Sequence, residues 1–187
     1  MEKSFINKIF YEFQGLCFLI RNLYASRNLL SMRELSFSNY RLTGLPKSRL
    51  NELDTLHKLV REGRELSFWR KTYYKLCGKK VCSILINKEN KMVGFNIFYF
   101  RDFEIKNGII HNAFIGVTPI ESHKGLGTIL QTYSLEQLSR NNLTGVSGYV
   151  LKNNQASIKM LQKVGFTLTE DANVTANYNI FYSFREK

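Results

Sequence analysis

The sequence predicts an α/β fold of the α+β kind: a mixed, mostly antiparallel central sheet with one βαβ unit, preceded by an amphipathic N-terminal helix. Three observations carry this. Between Val81 and Val117 the pattern changes from helical to three strand-like apolar runs separated by polar or glycine-bearing turns. At Gly125 the period becomes helical directly after the third run, and another strand run, Gly145 to Leu151, follows that helix. Near the N-terminus, Ile9, Phe10, Phe13, Leu16, Cys17 and Ile20 recur at helical spacing.

Composition bounds the rest. A chain of 187 residues suits one compact domain with a real core. With 44% hydrophobic residues, 13% aromatics and only two prolines, disordered and collagen-like chains are excluded. A formal charge of +12 selects an anionic partner: nucleic acid, a membrane face or a phosphate-rich small molecule. The three cysteines, Cys17, Cys77 and Cys82, are odd in number and lack CxxC spacing, so neither a disulfide framework nor a metal site is expected. A reducing, cytoplasmic setting is the expectation. The run Leu16 to Ile20 is too short for a secretion signal or a bilayer span.

The elements follow in order. Residues 4–24 read as an amphipathic helix or helix pair, including Phe5 and Ile6, with Lys3, Lys8 and Arg21 near it. It packs on the core or rests on an anionic membrane face or partner. Leu29 to Leu35 reads as a first strand, Leu50 to Val60 and Phe68 to Leu76 as helices. Val81 to Ile86 and Met92 to Phe100 form a hairpin across a polar turn. Asn107-Gly108, a strong hairpin signal, leads into Ile109 to Val117, giving three consecutive antiparallel strands. The strand after the Gly125 helix is parallel to the strand before it, through a right-handed crossover. Asn154 caps a helix over 155–164, and Phe166 to Thr169 and Tyr178 to Phe184 close the sheet.

The segment carrying chemistry is Val117-Thr118-Pro119-Ile120-Glu121-Ser122-His123-Lys124-Gly125-Leu126-Gly127-Thr128. A strand ends, the chain turns, and two glycines open a helix, so bare amides at the positive end of the helix dipole cradle an anion. Thr128 adds a hydroxyl and Lys124 or His123 adds charge. Neither GxGxxG nor GxxxxGK[ST] occurs, which disfavours the commonest nucleotide-binding loops. A second segment, Asn154 to Phe166, starts about one βαβ length downstream.

Together the two segments resemble the GNAT superfamily of acyl-CoA-dependent N-acyltransferases. Val117, Pro119, Gly125 and Gly127 match its V-x-P-x-x-[QR]-x-x-G-x-G pattern, and Asn154, Ser157, Lys163, Gly165 and Phe166 match N-x-x-[AS]-x-x-x-x-x-K-x-G-F. The resemblance covers roughly residues 80 to 170. It implies a helical extension over 1–28 and an acyltransferase domain over 29–187, compact as a whole, with a splayed βαβ site for the donor. It implies that Ile115, Gly116 and Val117 offer backbone groups to the pantetheine arm, with the Val117 N–H as oxyanion donor. His123, Lys124, Gly125, Leu126, Gly127 and Thr128 would hold the coenzyme diphosphate, and Asn154 with Ser157 would line the far side.

The sequence departs from the family at Ser122, where Gln or Arg is usual, at His123, where Gly is common, and at Leu161, where many members carry a tyrosine general acid. His111 stands six residues before Val117, where some members place a carboxylate base. An imidazole suits that task near neutral pH. Strict alternation puts His111 on the face of Ala113, Ile115 and Val117, so a hydrogen-bonded core histidine is its other reading. Tyr149 is a weaker catalytic candidate, a phenol within reach of the thiolate or simple packing. His57 reads as a surface residue, Glu121 and His123 as solvated loop, and Trp69, Tyr73 and Tyr74 as an acceptor wall or core.

The function expected is acetyl-CoA-dependent N-acetylation by direct attack of a primary amine, without a metal or a covalent cysteine intermediate. The acceptor expected is a small anionic amine such as a nucleotide-linked amino sugar. A protein or peptide amine is the alternative, as are a non-catalytic acyl-CoA-binding fold and, from a different class, a basic nucleic-acid-binding module. Nucleic acid is the disfavoured partner, since no recognition motif accompanies the charge. The chain is expected as a monomer or homodimer, with peripheral membrane contact through the N-terminal helix left open.

Overall fold

In the computed structural model of the chain, residues 2–170 and 177–184 are described, without the side chains of 2–6 and 8. The expectations on Lys3, Phe5, Ile6 and Lys8 as amphipathic-face residues therefore lie outside the described side chains. The order of elements is α1 (Glu2–Ser26), β1 (Leu35–Phe37), β2 (Tyr40–Gly44), α2 (Leu50–Val60), α3 (Phe68–Val81), β3 (Cys82–Asn87), β4 (Met92–Tyr99), α4 (Asp102–Ile105), β5 (Ile109–Val117), α5 (Leu126–Ser139), β6 (Gly145–Leu151), α6 (Gln155–Lys163), β7 (Thr167–Glu170) and β8 (Asn177–Ser183).

Among the described residues the strands form one eight-stranded sheet, ordered β1-β2-β3-β4-β5-β6-β8-β7. Every neighbouring pair is antiparallel except β5 and β6, the two strands joined through α5. This is the mixed, mostly antiparallel sheet read from the sequence. Strands β3 and β4 are buried almost throughout, because helices cover both faces and neither face can carry a polar alternation.

Two local expectations are corrected. Residues 29–34 form no strand. Their backbone donors are taken by the Lys79 carbonyl (from Met32, 2.8 Å), Asn141 Oδ1 (from Leu30, 2.7 Å) and Gln137 Oε1 (from Arg33, 2.8 Å). The first strands come later, as the β1–β2 hairpin. Asn107-Gly108 is likewise no two-residue hairpin turn: α4 intervenes between β4 and β5, and Gly108, at φ +66°, ends it.

Pairing across β4 and β5 assigns residues to faces, since paired residues share one. Phe95, Ile97 and Tyr99 pair with Gly116, Phe114 and His111. His57 of α2 packs its ring tilted against Phe95 (5.8 Å) and edge-on to Phe114 (5.9 Å), so this is the α2 face. His57 is buried rather than at the surface, its Nδ1 2.9 Å from the Arg64 carbonyl. Gly94, Asn96 and Phe98 pair with Val117, Ile115 and Asn112 on the opposite face, under α5.

That second face holds a polar seam. Asn96 Nδ2 donates to Gln131 Oε1 (2.9 Å) and Ser134 Oγ (3.1 Å), Asn112 Nδ2 donates to Asn96 Oδ1, and Ser83 and Ser134 share a hydrogen bond. All five are buried. Burying amides and hydroxyls is tolerable when they pair; here every seam residue is paired and only the Gln131 Nε2 donor is left over, so the seam fixes α5 at one register against β3, β4 and β5.

Candidate active site

The site begins with one extra residue. Ile97 pairs with Phe114 and Phe98 with Asn112, leaving Ala113 unopposed as a bulge in β5. Pairing of β5 with β6 ends at Asn112 and Gly148, beside that bulge. A bulge bends its strand and turns pairing off, so from residue 113 onward β5 and β6 part and a cleft opens between them.

The bulge also reverses the alternation. His111 lies on the α2 face with Phe114 and Gly116, opposite Ile115 and Val117, which corrects the shared face expected from the sequence. Beyond the bulge the Thr118 N–H bonds the Val93 carbonyl at 2.8 Å. Antiparallel ladders alternate the side to which main-chain groups turn, so the N–H and carbonyl of Val117 and Ile115 face the cleft, where β6 no longer answers them. Gly116 is needed between them because a Cβ there would stand 2.9 Å from Val60 Cγ2 and 3.0 Å from Phe114 Cε1.

From Thr118 the chain makes a short 3-10 turn and enters α5 through Gly125, at φ +73°, a left-handed position suited to glycine. No side chain caps α5, so its first-turn amides are left for something else. A Cβ at Gly125 or Gly127 would meet nothing within 4 Å. A groove of about 410 Å³ lies here, lined by Ile115, Gly116, Val117 and Ser157 on its inner side and by His123, Gly125, Leu126, Gly127 and Thr128 on its outer side. It adjoins a cleft of about 300 Å³ that reaches Asn112, Tyr149 and Asn154, and the two share Ile115, Ser157 and Met160. Asn154 Oδ1 accepts the Ser157 N–H (3.1 Å) and so caps α6 as the sequence predicts.

Of the candidate coenzyme residues, Lys124 alone stands apart from both grooves among the lining residues. Its Nζ is 2.6 Å from Glu121 Oε2, which also accepts from the Tyr40 hydroxyl at 2.8 Å. Glu121 is thus a clamp on the loop rather than a solvated residue.

On the α2 face a polar cluster lies behind Tyr149, the one of its members that lines the cleft. Arg101 donates through Nε to Glu104 Oε2 (2.7 Å), through Nη2 to Glu104 Oε1, and through Nη1 to the Tyr149 hydroxyl (2.6 Å). Ser147 Oγ donates to Glu104 and lies 2.9 Å from His111 Nδ1. His111 is wedged between the rings of Tyr99 and Tyr149, at 5.1 and 5.5 Å. Burial first, and the Arg101 charge second, push the imidazole down to about 4, so it is neutral at physiological pH. The structure therefore brings His111 and Tyr149 together, with the imidazole enclosed and the phenol half open to the cleft.

The mouth is cationic. Arg61 lines the cleft with its guanidinium 4.8 Å over the Phe114 ring, and burial with the neighbouring charges of Arg64 and Arg70 lowers its pKa. Arg61, Arg101, Glu104 and Ser147 were not singled out in the sequence. Arg61 ends a helix and Arg101 follows a strand, and only the Arg101–Glu104 spacing of three, a helical ion-pair spacing, hinted at the pair. Tyr73 and Tyr74 are fully buried and Trp69 donates to Glu12, so of the two readings of this aromatic stripe the core one holds for the tyrosines, and Trp69 packs between helices. Cys77 and Cys82 are buried, with thiols raised by burial, and Cys17 is exposed on α1.

The family profile of the acetyltransferase (GNAT) family matches residues 50–166. The chain belongs to that family. No curated protein matches it by sequence. Solved structures share the fold. Salmonella typhimurium yncA, solved with its cofactor acetyl-CoA, is 15% identical over 80% of this chain and 96% of its own, at a TM-score of 0.66. The ribosomal-protein-S5-alanine acetyltransferase from Vibrio fischeri is 12% identical over 82% and 98%, at 0.65. Arabidopsis thaliana Naa50, solved with the bisubstrate analogue CoA-Ac-MVNAL, is 19% identical over 78% and 99%, at 0.64.

As a GNAT acetyltransferase the chain takes acetyl-CoA as donor, and its residues fit the coenzyme. The uncapped first turn of α5 and the open space at Gly125 and Gly127 suit a diphosphate. The GNAT departures also acquire physical meaning. His123 sits at φ +63°, which explains why glycine is common there and shows that a side chain is carried at some backbone cost. Leu161 is buried against the cleft, so no phenol enters from α6.

Proposed function

We propose that this GNAT acetyltransferase acetylates the primary amine of a small anionic acceptor, of the class of nucleotide-linked amino sugars, by direct attack on acetyl-CoA. The observation carrying this reading is Arg61 in the cleft wall, a cation whose neighbours Arg64 and Arg70 add positive charge nearby. No carboxylate lines that cleft among the described residues, which suits an acidic acceptor better than a polyamine.

Bound acetyl-CoA supplies a thioester open to nucleophilic attack. The Val117 N–H, turned to the cleft, donates to the carbonyl oxygen as negative charge develops there. The Tyr149 hydroxyl gives its proton to the departing sulfur, with Arg101 fixing its direction. An imidazole held at about 4 has little affinity for an ammonium proton, so we assign His111 to wedging Tyr149 in place and the amine deprotonation to water. Ile115 and Val117 carbonyls and the α6 N-terminus hold the pantetheine arm.

A second reading, acetylation of a peptide or protein amine, draws on the fold shared with the S5-alanine acetyltransferase and with Naa50. Radiolabelled acetyl-CoA incubated with both acceptor classes decides. Label on the acidic amino sugar is expected, and label on peptide alone overturns the reading. Coenzyme binding by calorimetry without transfer to any amine would identify a non-catalytic fold.

A further inference from the structure

Helix α1 has two unlike halves. Its C-terminal half is anchored: Asn22 clamps Phe100, accepting its N–H at 2.6 Å and donating to its carbonyl at 3.2 Å, and Ser26 bonds the Tyr73 hydroxyl at 2.7 Å. The described residues from Asn7 to Gln14 are instead exposed, so this half stands off the body as an arm, touching it through Glu12 and Trp69.

Along its outer side Ile9, Phe13, Leu16, Ile20 and Tyr24 are between 41% and 65% exposed. At 3.6 residues per turn these five fall within an arc of about 80°. Their intervals of four, three, four and four residues are those of helix-to-helix packing. Phe10 and Tyr11, equally exposed, widen the apolar surface at the free end of the arm. Among the described side chains flanking this apolar seam, Glu12 is engaged by Trp69 and Arg21 by Asp102. The spacing 9, 13, 16, 20 reads the same in both directions, as a self-complementary two-fold contact requires.

Size agrees. With aromatic side chains burying about 150–250 Å² each, covering the seam and adjoining Phe10 buries on the order of 700 Å² per chain, near the roughly 800 Å² of a standard interface.

We propose that α1 is a self-association arm: two copies pair their α1 helices antiparallel, the free arm of one lying along the anchored half of the other. Ile9 then faces the partner's Ile20, and Phe13 the partner's Leu16. In this register the two Cys17 positions are about 7.5 Å apart along the helix axis, within reach of a short bis-maleimide. Because Cys77 and Cys82 are buried, cross-linking reports Cys17.

The test uses the full chain. Light scattering should give twice the 21.8 kDa of one chain, and bis-maleimidoethane should yield a covalent dimer that Cys17→Ser abolishes while the dimer mass persists. Phe13→Glu with Ile20→Glu should give a monomer with unchanged circular dichroism and coenzyme affinity. A wild-type monomer at the highest soluble concentration overturns the proposal, as does a dimer that survives the double substitution or resists cross-linking. A monomer that sediments with phosphatidylglycerol vesicles through the same residues assigns the seam to a lipid surface and overturns it too.

Discussion

The Arg101 guanidinium reaches the Tyr149 hydroxyl at 2.6 Å while Glu104, almost wholly buried, grips the same guanidinium from behind. The phenol is thereby aimed by a buried ion pair rather than by contacts of its own strand. Tyr149→Phe should lower kcat about 100-fold and leave coenzyme affinity unchanged in steady-state kinetics and calorimetry. Unchanged kcat removes Tyr149 as the proton donor. Glu104→Ala should cost about 1–3 kcal/mol in urea denaturation, because it leaves the half-buried Arg101 guanidinium and the Ser147 hydroxyl without their carboxylate acceptor.

Gly127 lies in the first turn of α5 with open space where a Cβ would stand. Gly127→Ala should stabilise the fold by about 0.5–1 kcal/mol through helix propensity yet weaken coenzyme binding about tenfold, since the methyl group occupies the diphosphate space. The opposite signs, read by thermal melts and calorimetry, are the signature. Equal or tighter binding would refute the cradle.

Gly116→Ala should cost about 1–3 kcal/mol from overpacking, its new methyl 2.9 Å from Val60 Cγ2. Val60→Ala in the same chain should restore part of that loss, a coupling that a double-mutant cycle measures. Strictly additive losses would show that the contact with α2 is not what demands glycine.

His111 is held at about 4 in the folded chain against 6.5 when free. Its folded pKa is depressed, so below about pH 6.5 the unfolded chain takes up the proton first. The stability from burying a neutral imidazole is present above that point and lost as pH falls toward about 4. The difference in unfolding free energy between wild type and His111→Gln should shrink across this window. A constant difference would contradict the burial. Turnover between pH 6.5 and 8 should follow the amine rather than His111.

Arg61→Gln should raise KM for an acidic acceptor about tenfold, with kcat and coenzyme affinity little changed, and should reduce the salt dependence of kcat/KM. A neutral acceptor should be indifferent to the change. Equal effects on both would place Arg61 in the fold rather than in recognition.

Much of this architecture was legible in the chain itself. The two glycines after Pro119 and the Asn154 cap announced the cradle and the far wall, because backbone conformation and capping are local and leave local residue signatures. The bulge at Ala113 was not legible: nothing in Ile109 to Val117 marks which residue the partner strand will leave unopposed. That omission put His111 on the wrong face and hid its neighbours. Residues 29–34 looked like a strand since their apolar content is right, but their donors are claimed by Asn141 and Gln137 from more than a hundred positions away. Long-range competition of that kind has no local signature.

The polar seam of Asn96, Asn112, Gln131 and Ser134 has a metric consequence. A greasy helix–sheet contact can slip by a fraction of a turn at small cost, whereas this one is notched. The span between the start of α5 and the Val117 amide is thus a fixed ruler, against which the donor's flexible tail is measured. A coenzyme analogue lengthened by one methylene before its sulfur will still dock its diphosphate but will deliver the acetyl group past the mark.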